Sequence, residues 1–536
     1  MTATEADLPA TPASDEASRL AALRARLLTP MPDDGYWGWL GPLLVTAFGT
    51  FLRFNRLRIP RALSFDETYY AKDAWSILQH GVELKLVPNA NALIQAGHTN
   101  IFAPCNGTSA CGEYVVQPEV GKLLIAVGEW MFGLNSFGWR FASAVFGSLA
   151  ILLMCRIARR LTRSTLLGCI AGLLMALDGL EFVLSRTGIL DIFLMFFVLA
   201  AFGCVLVDRD VSRARLAEGV ARREGGDTGP RLGLRKWQLA AGIFLGLAVG
   251  TKWIAAWYIV GFAGLGIAWD IGARRTAGLK SFVRGALRET RWLPLTYLLV
   301  PLTVYIASWS GWFATSTGYD RDYAQQNGLN IPVISPLYSL FEYHREAITF
   351  GLGLSLPHHY QSQPWDWLLI TRPVAFYAQC YTGATNYHVC PKGTVAYEQE
   401  VLAIGTPAIW WGSILALLFC LGWWLLHRDW RAGAVLLGVL AGWAPWFPLV
   451  TRTKFYYYAL EFEPFLILAI VLCLGLILGP AAAGPVRRAI GAGLVGAYVL
   501  CVLLMFWYFY SILAAQIIPY SDWLSHMWYR VGNGWI

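Results

Sequence analysis

Ser64-Phe-Asp-Glu-Thr-Tyr-Tyr-Ala-Lys-Asp-Ala-Trp-Ser-Ile-Leu-Gln-His-Gly81 sets two adjacent carboxylates, Asp66 and Glu67, just beyond the first long apolar segment of the chain. The stretch reads as a short polar helix at a membrane edge. Ser64 followed three residues later by Glu67 has the pattern of a capping box, the acids suit the positive end of a helix dipole, and His80-Gly81 suits its other end. A cap needs only one acid, however. The pair is also preceded by Arg53, Arg56, Arg58 and Arg61, and arginines gathered beside paired carboxylates compose a site for an anionic ligand.

The surrounding sequence is membrane-like. Its 536 residues are 56% hydrophobic and 14% charged and include 25 Trp, more apolar surface than a soluble core hides at this length. Segments of about 17 to 25 apolar residues can cross a bilayer. About eleven are present, centred near Val45, Gly147, Leu173, Phe197, Phe244, Phe262, Val300, Leu417, Val439, Ile467 and Leu500. The expected fold is therefore an all-α integral membrane protein. The formal net charge of +8 does not point to nucleic acid, because Arg and Lys are densest between apolar segments, at Arg209 to Lys236 and Arg274 to Arg291, as in cytoplasmic loops. The bilayer is the partner this pattern implies.

With the N-terminus in the cytosol the loops alternate, and two large segments fall outside, about 55–134 and about 312–405. Residues 1–36 are expected to be a disordered cytoplasmic tail carrying a short Arg-bearing helix from about Ser18 to Leu28. Residues 37–536 form one transmembrane unit, with a four-helix part at about 406–536. The location expected is the plasma membrane, multi-pass.

Of ten cysteines, six lie in apolar segments as small buried hydrophobes. Cys105 with Cys111 and Cys380 with Cys390 lie in polar loops, each pair closing a short loop. Two disulfides follow if those loops face an oxidising compartment; zinc is the alternative, which no CxxC spacing favours. His358-His359 are adjacent and cannot ligate as an i, i+4 pair, and no HExxH occurs, so no metal site is expected. Trp365 and Trp367 read as interfacial anchors or as a stacking wall.

Ionisable residues also interrupt or border the apolar segments: Arg140, Asp178, Glu181, Arg186, Asp191, Lys252, Arg452 and Lys454. A charge at bilayer depth costs about 2.5–3.5 kcal/mol or more. Snorkelling accounts for any one of these, but poorly for all of them at one face.

The ordered series Arg53 with Phe65-Asp-Glu67, Gln117-Pro-Glu-Val-Gly-Lys122 leading to Arg140, Ser185-Arg-Thr-Gly-Ile-Leu-Asp191, Gly250-Thr-Lys-Trp253 and His358-His-Tyr-Gln-Ser-Gln-Pro-Trp365 with Arg372-Pro373 resembles the protein O-mannosyltransferases. The likeness is to the short actinobacterial members and covers the chain from about Gly38 onward. It implies a GT-C glycosyltransferase fold and an inverting transfer of mannose from polyprenyl-phosphate-mannose to Ser or Thr hydroxyls of exported proteins. Asp66 matches the family's catalytic acid and Glu67 its partner, while Arg53 and Arg140 match the arginines that support the pair.

On that resemblance Asp66 is expected to be the base for the acceptor hydroxyl. Arg186, Lys252 and Arg452 are candidates to neutralise the donor phosphate, and His358 and Trp365 to contact the acceptor or its loop. No cofactor is expected beyond the lipid-linked donor as co-substrate; the secretion channel, which would present unfolded acceptors, is an expected partner. Two departures stand out. The segment from Trp312 to Gly405 is too short for the β-trefoil MIR domain of eukaryotic members, and Gln117-Pro-Glu119 replaces the usual His-Pro-Pro. A lipid-linked sugar transferase acting on a lipid or glycan, and a polytopic transporter, are the alternative readings.

Overall fold

Each of the eleven apolar centres falls within a helix of the computed structural model, which describes residues 12–382, 385–387, 396–480, 482–529 and 535. Among the described residues, five helices are long and apolar enough to cross a membrane: Ser136–Thr162, Asp191–Ala221, Trp253–Thr276, Pro407–His427 and Pro485–Leu513. Shorter apolar helices are Thr165–Ala176, Lys236–Val249, Pro294–Ser308 and Glu463–Leu478. Trp37–Phe54 and Trp430–Trp443 carry the remaining centres. At 1.5 Å per residue, the 16-residue Glu463–Leu478 helix is about 24 Å long, shorter than a hydrocarbon core of about 30 Å. The loops at the ends of such helices therefore dip toward membrane depth, and these loops build the site.

The outer surface of the bundle is apolar, as lipid requires: Leu415 is 71% exposed, Leu426 80% and Trp507 63%. The interior packs closely. A Cβ on Gly188 would lie 2.8 Å from the carbonyl oxygen of Trp139, so only glycine admits this approach of the loop to the Ser136–Thr162 helix.

Two expectations change. Within the described part of residues 1–36, the Arg-bearing helix expected at about Ser18 to Leu28 is present but starts earlier, spanning Pro12–Leu27, and it is docked instead of belonging to a loose tail: Leu23 and Leu27 are buried against Leu216, Ala217 and Ala273. Arg24 adds an exposed salt bridge to Glu218 at 2.8 Å. The reason is spacing: Leu20, Leu23 and Leu27 recur on one helical face within an otherwise polar composition.

The second change is a four-stranded antiparallel sheet, ordered β2-β1-β3-β4, within an otherwise helical fold. β1 (Val374–Thr382), β2 (Thr385–Tyr387) and β3 (Tyr397–Ala403) come from the second large loop, and β4 (Ile517–Pro519) comes from beyond the last long helix. The register pairs Ala378 with Glu400 and Glu398 with Ile518. β1 is rich in aromatic and β-branched residues, which suit a pleated, half-buried surface.

The rest of that loop includes the helix Ile334–Gly353. Ser335, Ser339, Tyr343 and Ala347 are buried on one face, while Phe341 (61%), Ile348 (47%) and Leu352 (58%) are exposed on the other. Such a helix suits a membrane interface.

Candidate active site

Glu67 opens the helix Glu67–His80, and Asp66 occupies the position before it. The two carboxylates have opposite fates. Glu67 is fully buried and accepts four hydrogen bonds: from Arg140 Nε (2.6 Å) and Nη2 (2.7 Å), from the Gly188 backbone N–H (2.8 Å) and from the Ser64 backbone N–H (2.8 Å). Both oxygens are thus committed to charge-assisted bonds. Half of the expected capping box exists, because Glu67 reaches back to Ser64. The other half does not: Ser64 Oγ accepts from Arg140 Nη2 at 3.2 Å instead of capping the helix.

Arg140 is the hub of the first large loop. Besides Glu67 it donates to the carbonyls of Leu57 (3.2 Å), Pro60 (2.7 Å) and Ala62 (3.1 Å). One guanidinium thereby fixes the whole approach to Asp66.

Asp66 has a single side-chain partner among the described residues, the Tyr457 hydroxyl, which donates to Oδ2 at 3.3 Å. Phe65, just before it, sits in the left-handed region at φ +48°, an unfavourable conformation for an aromatic residue. Aromatic packing holds it there. Its ring stacks on Phe376 of β1 at 4.8 Å and meets Tyr457 (5.6 Å) and Phe455 (6.1 Å) edge-on. Strain of this kind, overdetermined by its neighbours, concentrates at working sites. Enclosure raises the Asp66 carboxyl to about 6; Lys252 opposes the rise, nearby Asp191 adds to it, and the Tyr457 hydrogen bond opposes it.

Beside Asp66 lies a cavity of about 270 Å³ lined by Gln117, Asp191, Lys252, Trp253, Trp257, Trp446, Arg452, Tyr458 and Glu461 among others. Lys252 Nζ donates to both oxygens of Asp191 at 2.8 Å and lies 5.2 Å from the Tyr458 ring centre. Arg452 donates from Nε to the Gly351 carbonyl at 2.7 Å, and its guanidinium lies over Trp446. Its Nη1 is buried without a partner. The cavity therefore offers one cation that has no carboxylate partner among the described residues, Arg452, and one shared with a carboxylate, Lys252.

Other expected residues are placed elsewhere. Arg53 is fully buried and paired with Glu181, and it donates to the Gly49 carbonyl at 3.1 Å; it supports the packing of the Trp37–Phe54 helix, not the carboxylate pair. Arg186 caps that helix, donating to the carbonyls of Leu52, Arg53, Asn55 and Arg56. The last carbonyls of a helix lack intrahelical donors, so Arg186 is consumed there and is not a phosphate cation of this cavity.

His358 reaches the aromatic rim, edge-on to Phe455 at 5.1 Å. Trp365 is 51% exposed near Phe447 and does not line the cavity, whereas Trp367 is buried and donates to Ser362 Oγ. Cys105 and Cys111 form a disulfide. The Cys380–Cys390 pairing falls on Cys390, which lies outside the described residues.

Tyr457, Glu461 and Trp446 carry no sequence signal that marks them for the site, and Gln117 and Asp191 gain their places only from the fold. The stretch Ser185–Asp191 proves to do three things: Arg186 caps a helix, Gly188 binds Glu67, and Asp191 holds Lys252. In the departing motif, Glu119 turns to a buried ion pair with Lys122 at 3.3 Å while Gln117 faces the cavity.

Two family profiles match the chain. Residues 43–313 match "Dolichyl-phosphate-mannose-protein mannosyltransferase", and residues 336–531 match "C-terminal four TMM region of protein-O-mannosyltransferase". A protein of Mycolicibacterium smegmatis (strain MKD8) named polyprenol-phosphate-mannose–protein mannosyltransferase is 38% identical over 93% of this chain and 94% of its own. A protein of the same name from Corynebacterium glutamicum is 31% identical over 94% and 96%. The solved S. cerevisiae protein O-mannosyltransferase Pmt1-Pmt2 complex, bound to its sugar donor, superposes with a TM-score of 0.69 at 14% identity, over 97% of this chain and 94% of the yeast chain.

Proposed function

This chain belongs to the dolichyl-phosphate-mannose–protein mannosyltransferase family and has its GT-C fold, and from that premise we propose how its residues carry out the transfer. The enzyme moves mannose from polyprenyl-phosphate-mannose to Ser or Thr hydroxyls of exported proteins. The donor occupies the cavity, with its phosphate at Arg452 and Lys252 and its mannose toward Asp66. The acceptor hydroxyl approaches from the side of Asp66 and Tyr457.

Asp66 takes the hydroxyl proton as the oxygen attacks C1 of mannose. The bond from C1 to the phosphate oxygen breaks, its electron pair leaves with polyprenyl phosphate, and the configuration at C1 inverts. The departing phosphate gains one negative charge, which the Arg452 guanidinium and the Lys252 ammonium stabilise as fixed charges. The reaction as written draws on side chains alone, so a chelator is expected to leave it unchanged.

One observation carries the division of labour. Glu67 spends both oxygens on four donors, while Asp66 keeps one oxygen without a side-chain partner among the described residues. A carboxylate so saturated has no lone pair left to meet an acceptor hydroxyl; its neighbour has. The test is mannose transfer from polyprenyl-phosphate-mannose to a Thr-rich peptide by the purified enzyme. Asp66→Asn should retain donor binding and lose transfer, and full activity in that variant would refute the base assignment. Transfer to a lipid or glycan but never to peptide would favour the other acceptor class.

The site faces outward and the N-terminus inward in this reading. Arg and Lys density in the opposite loops and the Cys105–Cys111 disulfide, which needs an oxidising side, both support that orientation. The secretion channel is proposed as a partner because an unfolded chain offers its hydroxyls most freely.

A further inference from the structure

One polar group in the cavity has no part in the chemistry just described. Glu461 is 2% exposed, lines the cavity, and ends the short turn Tyr456–Glu461 ahead of the Glu463–Leu478 helix. Its position is fixed twice. The Trp446 indole N–H donates to Oε1 at 2.8 Å, and the Tyr258 hydroxyl donates to its backbone carbonyl at 3.1 Å. Oε2 is buried with no partner, and Glu461 forms no salt bridge among the described residues. A buried acceptor left open in this way costs free energy unless a ligand or water completes it.

We propose that Glu461 is a specificity-determining residue that accepts hydrogen bonds, through Oε2, from hydroxyl groups of the transferred sugar. The inference rests on the donor reading of the cavity. Its logic is charge and inventory. The donor headgroup contains two kinds of polar group, a phosphate diester and the sugar hydroxyls. Arg452 Nη1 is a donor suited to the phosphate, which carries no hydrogen to give to an acceptor; the open acceptor oxygen Oε2 matches a sugar hydroxyl. Lys252 is held by Asp191, so no cation draws Glu461 away from a hydroxyl. The rings of Trp253, Trp257 and Trp446 and the amide of Gln117 line the same cavity, as apolar walls with a few placed polar groups do in small-molecule sites.

The experiment separates sugar from phosphate. For wild type, Glu461→Gln and Glu461→Ala, two quantities are measured: the KM for polyprenyl-phosphate-mannose, and the inhibition constant of polyprenyl phosphate, which carries no sugar. Glu461→Ala should raise the KM about tenfold to a hundredfold, the range of a hydrogen bond to a charged group, and leave the inhibition constant unchanged. Glu461→Gln, which still offers Trp446 an acceptor, should raise the KM less and serves where the alanine variant does not fold. A series of monodeoxymannosyl donors completes the test: at least one should be weakened in wild type and suffer no additional loss in Glu461→Ala. Equal rises in KM and inhibition constant would overturn the inference in favour of a phosphate or packing role, and so would an unchanged KM. Wild-type enzyme that transfers from none of these donors would instead sink the donor reading itself.

Discussion

Asp66 and Glu67 are neighbours in sequence and opposites in environment, and that contrast gives the sharpest expectations. Replacing Asp66 by Asn should lower kcat by about 10²–10⁴-fold, the usual contribution of a positioned base, with thermal stability nearly unchanged. If Asp66 is the base, it works as the carboxylate, and because enclosure lifts its pKa to about 6, kcat/KM should be level above pH ~7 and fall about tenfold per unit below pH ~6. The positive charge of Lys252 pulls that value down, so Lys252→Met should move the acid limb to higher pH; an unmoved limb would mean that another group titrates. Arg140→Ala should act differently. It strands Glu67 as a buried, unpaired charge, at a cost of about 3–5 kcal/mol, and a thermal melt in detergent should show the loss before any kinetic assay does. The carboxylate pair, Arg140, Lys252 and Arg452 were legible in the chain because charges bordering apolar segments are conspicuous. Tyr457 and Glu461 were not, because their roles come from contacts that only the tertiary fold makes, as when Tyr457 reaches Asp66 across 391 positions of sequence.

At the scale of elements, length and hydropathy gave the helices readily and the exceptions poorly. All eleven apolar centres are helical because a helix satisfies its own backbone polar groups in lipid, and continuous apolar runs of this length lack the alternation of a barrel strand. The Pro12–Leu27 helix escaped notice as a docked element because its apolar face is three leucines wide and the residues around it are charged. Leu27→Ala should cost about 2–5 kcal/mol locally, seen as faster proteolysis of the first residues, while transfer stays at its wild-type rate. The sheet is hard to read for another reason: β2 and β4 are only three residues long, too short to show a period of two, and β4 joins from more than a hundred residues beyond β3. Arg53 and Arg186 were misread because their charges looked like ligand-binding charges, whereas their donors are spent on Glu181 and on the open end of the Trp37–Phe54 helix.

The whole molecule is a bundle whose short helices and dipping loops bring Lys252, Arg452 and Glu461 around one cavity, with Asp66 beside it. Its sidedness can be read with thiols. After mild reduction, a membrane-impermeant maleimide added to intact cells should label Cys105 and Cys111, while a cysteine introduced at Ser18 should react only once the membrane is opened; the reverse pattern would invert the topology. The sheet adds a consequence in time. β3 is bonded to β4, Gln399 donates to the Ala515 carbonyl at 3.0 Å, and the Trp523 indole donates to Glu400 at 2.6 Å, while β1 on the other flank of β3 supplies the Phe376 ring that props Phe65 beside Asp66. The ribosome must therefore have released residues beyond 523, and the last helix must have been inserted, before the catalytic loop acquires its support. A chain truncated before Ile517 is therefore expected to transfer little or no mannose even when it is inserted, and an assay of that truncated chain in membranes checks this; transfer at the full-length rate would show that β4 is dispensable.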